Sequence, residues 1–286
     1  TFALANEDNG IKVVPVNFTH NGYSYEIEGV AKSTEGDYQI KSPSRLAARK
    51  LPSAYDPRSS GEITTVKDQA STGACWAFSA LACAEQDLIK KGLENPSAEF
   101  SVPALVLSSN SGTATGKDDF SSGGNWLFAA SALANGQGLC YEDYEPFLES
   151  GTENMAVSEN KKSVSEYRLN YVMELSSTTQ VKRKIMELGA VSASYFAGNG
   201  YMNHNNTAYY DPDASKNTII NHSVTVVGWD DNYSKDNFRY KPANNGAWLV
   251  KGSWGADQDN DGFYWVSYDE AEFGQFCCYD FEESCD

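Results

Sequence analysis

The hydrophobic pattern of this chain changes near residue 165, and no other feature limits its fold class as strongly. Before that point apolar residues recur at three- and four-residue steps, first over 74–91, with Gly92 as the stop, and again near 125–135. This spacing predicts helices. After it, one helix is predicted at Thr178–Leu188. Five stretches rich in Val, Tyr, Trp and Phe are predicted as strands: 169–175, 190–196, 223–229, 247–251 and 262–268. A helical first half and a sheet-rich second half predict an α+β protein of two lobes with a groove between them.

Charge is distributed unevenly along the 286 residues and marks a boundary at residue 50. The formal net charge is −17, yet residues 1–50 hold six basic and six acidic residues, so the acidic excess belongs to residues 51–286. An acidic surface repels phosphate backbones and anionic membranes, so nucleic acid is not an expected partner. We therefore expect an N-terminal segment over 1–50, a helical lobe over 51–165 and a β-rich lobe over 166–286.

The cysteines argue against a zinc site, because none of the six belongs to a C-x-x-C pair. Cys75 and Cys83 lie eight steps apart on one predicted helix, which separates them by about 12 Å. A disulfide needs Cα atoms within roughly 7 Å, so these two are not partners. Bridges among the other four cysteines remain open. No apolar run approaches the roughly 20 residues that span a bilayer, so no membrane span is expected. The chain begins at Thr1 rather than Met, as it would after removal of a signal peptide.

Cys75 and His222 are the candidate reactive pair. Of the three histidines, His20 lies in the N-terminal segment, His204 lies in a polar loop, and His222 directly precedes a predicted strand. Cys75 stands at the start of the helix predicted over 74–91, where the positive end of the helix dipole favours the thiolate. The alternative is a buried helix cysteine without a chemical role, which is our interpretation of Cys83.

The residues around Cys75, Gly-Ala-Cys-Trp-Ala-Phe-Ser over 73–79, resemble the nucleophile segment of papain-family cysteine peptidases. In that family a histidine follows the cysteine by roughly 130–150 residues, and His222 lies 147 residues after Cys75. Four other stretches resemble family motifs and occur in the family's order along the chain. They are the mature N-terminus at 51–56, the glycine wall of the groove at 122–125, the histidine motif at 221–223 and the tryptophan segment at 253–255. The stretch from 221 to 251 is most similar to the surface-layer cysteine peptidases of clostridia.

The resemblance implies a secreted or cell-surface bacterial endopeptidase of papain-like two-lobed fold, with a helical lobe and a β-barrel-like lobe. Cys75 would be the nucleophile, His222 the general base, and Gln69 a donor to the oxyanion. Trp254 would shield His222 from water. The remaining candidates would line the substrate groove: Gly123, Gly124, Trp126, Ser194, Ile220 and Asn221. No cofactor is implied. The implied partners are protein or peptide substrates, cell-surface proteins among them, and residues 1–50 acting as an inhibitory pro-segment.

Two positions depart from the family pattern. Thr72 stands where the family usually has a cysteine, so the customary disulfide beside the nucleophile is absent. Gly252 stands where the family has the asparagine that orients the catalytic imidazole. We therefore keep two hypotheses: an active peptidase in which another group or water serves His222, and a silent binding protein on a peptidase fold. A third is another Cys–His acyl transferase of transglutaminase-like type, which usually needs an acidic third member.

An acidic stretch after Gly255 is a weaker candidate for a metal site. Asp257, Asp259 and Asp261 occupy alternating positions of a calcium-binding loop. The twelfth position is Tyr268 rather than the glutamate that binds calcium through both oxygens. The alternative is an acidic turn between two strands.

Overall fold

A computed structural model describes most of the chain, and the structural statements below refer to that part: residues 11–20, 23–33, 50–109, 120, 123–134, 139–144, 146–147, 166–214 and 219–284. The α-helices are α1 (Cys75–Lys90), α2 (Val102–Ser109), α3 (Trp126–Ala132) and α4 (Thr178–Leu188). The strands are β1 (Ile11–His20), β2 (Tyr23–Ser33), β3 (Ala54–Tyr55), β4 (Tyr167–Glu174), β5 (Val191–Tyr195), β6 (Met202–Asn203), β7 (Ala208–Tyr209), β8 (His222–Asp230), β9 (Ala247–Lys251), β10 (Phe263–Ser267) and β11 (Gly274–Glu283). None of the described helices is both long and apolar enough to cross a membrane.

Helix α1 is the central element of the fold, and residues 75–88 of it are all buried. Gly92 ends the helix with a φ of +72°, a conformation that glycine adopts without strain. One turn after Cys75, the Ser79 hydroxyl donates to the Val224 carbonyl at 2.7 Å and contacts the Ser192 hydroxyl at 2.8 Å. These bonds tie the start of α1 to β5 and β8, the strands that carry the other half of the site.

A buried ion pair also joins α1 to the sheet. Glu85 on α1 lies 3.8 Å from the ammonium of Lys251 at the end of β9, and both side chains are buried. The Thr64 hydroxyl donates to the Glu85 carboxylate at 2.7 Å, and Lys67 approaches it at 3.4 Å. Buried charges need such partners, because an unpaired one is strongly destabilising. The network therefore fixes α1 against the strand that leads to Gly252.

The strands form one mixed sheet in the order β1-β2-β4-β11-β5-β8-β9-β10-β7-β6, with β3 paired to β8. Most pairs are antiparallel, and β2–β4 and β7–β10 are parallel. Across the described strands the ladder stays open, so the β-rich lobe is an open sheet and not a closed barrel. In this register Tyr195 on β5 is the direct partner of His222 on β8.

Two apolar cores lie on the two faces of the sheet, with α1 in the first of them, and the structure confirms the predicted α+β fold of two lobes. One surrounds α1, α2 and α3 and includes Leu88 and Phe100. The other lies between α4 and the sheet and includes Ile185, Trp229 and Val250. Helix α2 and strand β11 were not predicted. A start signal for α2 was present, since the Ser101 hydroxyl accepts a hydrogen bond from the Ala104 N–H at 3.1 Å, as a helix-capping serine does.

The N-terminal segment contributes a hairpin at the outer edge of the sheet. Strands β1 and β2 pair with each other, and β2 pairs with β4, with Val30 opposite Val172 and Lys32 opposite Glu174. Three strands, β4, β11 and β5, separate this hairpin from β8. The last part of the expected pro-segment, the basic stretch 41–50, lies outside the described residues except for Lys50.

Candidate active site

A cleft of about 800 Å³ opens between the start of α1 and the start of β8. Nine of the ten predicted site residues line it: Gln69, Cys75, Gly123, Gly124, Ser194, Ile220, Asn221, His222 and Trp254. The tenth, Trp126, is the first residue of α3 and packs against the core of the helical lobe. Its neighbour Asn125 lines the cleft instead. Residues from both lobes therefore meet at this boundary.

Cys75 is the first residue of α1, and only 7% of it is exposed. The residue before it, Ala74, provides no side-chain cap, so the first N–H groups of the helix are not covered by a capping side chain. Burial raises the pKa of the thiol, while the backbone N–H groups of Ser223 and Trp76 and the Ser223 hydroxyl oppose this rise. The sulfur thus has donors around it that can stabilise a thiolate once charge develops.

His222 is the first residue of β8 and is buried. The Trp254 ring stacks on the imidazole with centroids 5.3 Å apart and an interplanar angle of 23°. The Tyr195 ring approaches at 6.0 Å and 64°. Burial lowers the pKa of His222 to about 4. Among the described residues the buried Nε2 atom has no hydrogen-bond partner. The imidazole is therefore held by rings and kept neutral by its environment.

Gln69 is held rigidly beside Cys75. Its backbone N–H donates to the Ser253 carbonyl at 2.8 Å, and the Ser253 hydroxyl donates to its side-chain Oε1. This contact fixes the orientation of the side-chain amide, so Nε2 faces away from Ser253. Nε2 donates one hydrogen to the Thr72 carbonyl at 2.8 Å. An amide nitrogen carries two hydrogens, so a second one is available on a residue that lines the cleft.

Positions 123 and 124 in the cleft wall are both glycine, for different structural reasons. Gly123 has a φ of +74°, in the left-handed region. At Gly124 an added Cβ would lie 2.4 Å from the indole Nε1 of Trp76, so only glycine fits over this ring. Asn125 then caps α3, since its side-chain oxygen accepts from the Leu127 N–H at 2.9 Å. The motif therefore joins the cleft wall to the residue that follows Cys75.

The opposite wall is neutral and polar. The Ser194 and Ser223 hydroxyls lie 3.1 Å apart, and the Asn221 side chain accepts from the Ala197 N–H at 2.7 Å. Ile220 is 40% exposed and supplies an apolar surface. None of these side chains carries a charge.

Comparison with known proteins places the chain in a family. Residues 51–281 match the family model for papain family cysteine proteases. The chain belongs to the papain family. It is 24% identical to cathepsin K of Mus musculus, over 75% of this chain and 59% of the relative. It is 29% identical to cathepsin S of Bos taurus, over 75% and 60%. The chain thus spans about six-tenths of the length of these relatives.

Solved structures of the papain family superpose on the chain. The cysteine protease and lectin-like domains of Cwp84, a surface layer associated protein of Clostridium difficile, align with a TM-score of 0.73 and 30% identity. The match covers 83% of this chain and 53% of that chain. Procathepsin L 3 from the larval midgut of Tenebrio molitor aligns with a TM-score of 0.61 and 20% identity, over 82% and 72%, and shows the fold alone. The clostridial resemblance predicted from 221–251 agrees with the first match.

Gly252 is the main departure of this papain-family chain, and the structure shows what lies beside it. An added Cβ would be 3.0 Å from the Gly262 carbonyl oxygen and 3.3 Å from Cε1 of Tyr264. Its φ is not in the left-handed region, so backbone strain is not the reason for glycine here. The Tyr264 ring occupies the neighbouring space, and its hydroxyl contacts that of Tyr195 at 2.9 Å.

Several cleft residues were not predicted from the sequence. Some of them adjoin motifs that were recognised: Thr72 and Gly73 precede Cys75, Asn125 follows Gly124, and Ser223 follows His222. Adjacency to a motif could have identified these. Ala197, Asn199 and Gln275 also line the cleft. Ala197 and Asn199 lie in the loop after β5 and Gln275 lies at the start of β11, and no sequence signal links these positions to the cleft.

The acidic stretch 257–261 forms part of the connection between β9 and β10, which are antiparallel, as the alternative of an acidic turn predicts. Asp257 and Asp261 are exposed, and the side chain of Asp259 lies outside the described residues. In the described part of the chain no cluster of three or more His, Cys, Asp or Glu side chains could hold a metal ion. Calcium binding by this stretch stays a prediction.

The two cysteines on β11 do not take part in disulfide bonds. Cys277 and Cys278, two of the four left open by the sequence, are buried free thiols, as are Cys75 and Cys83. Burial raises the pKa of the Cys83 thiol well above its ordinary value. Cys83 is therefore an inert core cysteine, as the sequence suggested.

Proposed function

We propose that this chain is an endopeptidase in which Cys75 is the nucleophile and His222 the general base. The observation that carries the proposal is the shared cleft, which brings together two residues 147 positions apart. The Cys75 sulfur attacks the scissile carbonyl carbon as the thiol proton passes to the imidazole. The oxyanion accepts hydrogen bonds from the Gln69 side-chain amide and the Cys75 backbone N–H.

The intermediate then collapses, and the imidazolium gives its proton to the departing amine as the C–N bond breaks. Water, deprotonated by His222, attacks the remaining thioester and releases the acid product and the thiol. Burial raises the pKa of the Cys75 thiol and lowers that of His222, while the Ser223 and Trp76 backbone N–H groups favour the thiolate that pairs with His222.

The substrate class follows from the cleft walls. A neutral wall with the apolar Ile220 favours a small aliphatic or other uncharged side chain two residues before the scissile bond. At Gly123 an added Cβ would meet nothing within 4 Å, so this glycine leaves the backbone open and an extended strand of substrate can approach it closely. Protein or peptide substrates fit such a groove, cell-surface proteins among them.

Residues 1–50 are proposed as a pro-segment that inhibits a secreted or cell-surface bacterial enzyme until it is removed. The end of β2 supports this role. In the sheet register Lys32 lies opposite Glu174, the last residue of β4. The next residue, Leu175, donates its N–H to the Phe276 carbonyl. Gln275, which precedes Phe276, lines the cleft. The end of β2 is therefore level with the part of the sheet that adjoins Gln275. Cwp84, the similar clostridial protein, is a surface layer associated protein.

We assign the helical lobe to residues 51–165 and the β-rich lobe to residues 166–286.

A matched pair of variants on one helix tests the proposal. Cys75→Ala and Cys83→Ala both remove a buried thiol from α1, eight residues apart. After removal of residues 1–50, we expect hydrolysis of a peptide library and labelling by an epoxide inhibitor in the parent and in Cys83→Ala. We expect neither in Cys75→Ala, with the circular dichroism spectrum unchanged. Turnover by Cys75→Ala would overturn the assignment.

A silent binding protein on the same fold is the second candidate. The buried unpartnered Nε2 of His222, together with glycine at position 252 where the family has asparagine, favours it. The same experiment separates the two. Absence of both turnover and labelling in the trimmed parent, with substrate peptides still bound in a calorimetric titration, would establish the silent alternative.

A further inference from the structure

The His222 ring lies between two aromatic side chains. Trp254, 46% exposed, covers one face, and Tyr195, which is buried, meets the ring from the neighbouring strand. Because Tyr195 and His222 are direct partners across β5 and β8, their backbone spacing is set by the sheet. What remains to be fixed is the rotation of the Tyr195 ring and, through it, that of the imidazole.

Tyr195 is itself held from several sides. Its hydroxyl lies 2.9 Å from that of Tyr264, and the rings of Tyr209 and Phe273 pack on it at 5.1 and 5.4 Å between centroids. Burial raises the pKa of both phenols in the hydroxyl pair, so both stay neutral at working pH and the contact persists. Tyr264 therefore locks a ring that packs against His222.

Tyr264 also explains the glycine at 252. A Cβ there would contact Cε1 of Tyr264 at 3.3 Å and the Gly262 carbonyl at 3.0 Å, closer than most side-chain contacts. The Tyr264 ring and a side chain at 252 therefore compete for the same space. Since Nε2 of His222 has no partner among the described residues, a hydrogen bond does not fix the imidazole on its buried side.

We propose that Tyr264 and Tyr195 are positioning residues for His222, the Tyr264 hydroxyl holding the Tyr195 ring against the imidazole while Trp254 closes the other face. The inference rests on the proposed function, in which His222 transfers the proton. Neither tyrosine exchanges a proton with substrate. Their contribution is the fraction of time that the imidazole spends in the geometry for attack.

Kinetics on tyrosine variants test this. Tyr264→Ala removes the ring and should lower kcat about 100-fold with KM within about twofold, since a displacement near 1 Å costs that much in an aligned site. Tyr264→Phe keeps the ring and loses one hydrogen bond, for a loss of about fivefold. The matched control, Tyr171→Phe, loses the contact of its hydroxyl with Lys184 at 2.9 Å, remote from the cleft, and should leave kcat and KM unchanged. Unchanged kcat in both Tyr264 variants would overturn the proposal.

A substitution at residue 252 provides a second test of the positioning role. In the parent, Gly252→Asn should leave kcat no higher and lower the melting temperature, because Tyr264 occupies the space. In Tyr264→Ala the same substitution has room and should recover part of the lost kcat. A rise in kcat from Gly252→Asn alone would show that Tyr264 does not fill this role.

A spectroscopic readout keeps the inference separate from the proposed function. In protein labelled with ¹³C-histidine, the His222 ring signals are assigned by their loss in His222→Gln. Tyr264→Ala should shift and broaden them, and Tyr171→Phe should not. Absence of turnover and labelling in the parent would remove the proposed function, while this comparison would still decide the positioning role. Identical His222 signals in the parent and Tyr264→Ala would refute it.

Discussion

Acid should destabilise this protein through His222, and the size of the effect follows from its burial. The pKa of His222 is lowered from its ordinary value of 6.5 to about 4 in the folded chain. Between these values the unfolded chain binds a proton that the folded chain does not, so stability is fully present above pH 6.5 and is lost as pH falls toward 4. Lowering the pH from 7.5 to 4.5 should therefore remove about 2 to 3 kcal/mol from the free energy of unfolding through this one group.

Other buried groups titrate in the same range, so the effect must be measured as a difference. Burial raises the pKa of Asp87 and of Glu270 to about 7, and their contributions act in the opposite direction, because the folded chain then holds the extra proton. A His222→Gln variant retains both carboxyls and lacks the imidazole. Comparing the two proteins at each pH therefore cancels every contribution except that of His222.

The assay is urea unfolding followed by tryptophan fluorescence at pH 7.5 and pH 4.5. The parent should lose about 2 to 3 kcal/mol more than His222→Gln over this interval. Equal losses would refute the reasoning, since His222 would then titrate near its ordinary value. A smaller loss in the parent would refute it too, since a Cys75 thiolate would then hold His222 as an imidazolium. A Cys75→Ala protein distinguishes these outcomes, because only an ion pair would make the loss depend on the thiol.

Three further predictions concern the cleft. Gln69→Ala should lower kcat by about 100- to 1,000-fold with the thiol still labelled by the epoxide, because one oxyanion donor is lost; a loss below tenfold would remove Gln69 from this role. Trimming the chain to begin at Leu51 should raise activity, and salt should activate the untrimmed chain by screening the basic stretch 41–50; equal activity of both forms would exclude a zymogen. A cleavage profile should show small aliphatic residues two positions before the scissile bond, and a preference there for Arg or Asp would contradict the neutral wall around Ile220.

Much of the candidate site could be predicted from the sequence, because its residues lie in contiguous segments. Cys75 at the start of a helix and Gly92 at its end are local signals, and the structure places α1 between them. Helix α4 has the bounds that its apolar spacing predicts. Periodicity and capping act over a few residues, so a single sequence carries them in full.

Tertiary structure alone decided the features that depend on strand register and on packing between distant segments. The contact of Tyr264 with the space at Gly252 requires β10 to lie beside the end of β9, and Gln275 reaches the cleft through the pairing of β11 with β5. Trp126 was assigned to the groove by resemblance to the family, yet it packs partly buried against the core of the helical lobe. A shift of register by one residue would reverse every side chain of a strand. The sequence by itself therefore determined which segments carry the chemistry, and the packing of the two lobes determined what surrounds them.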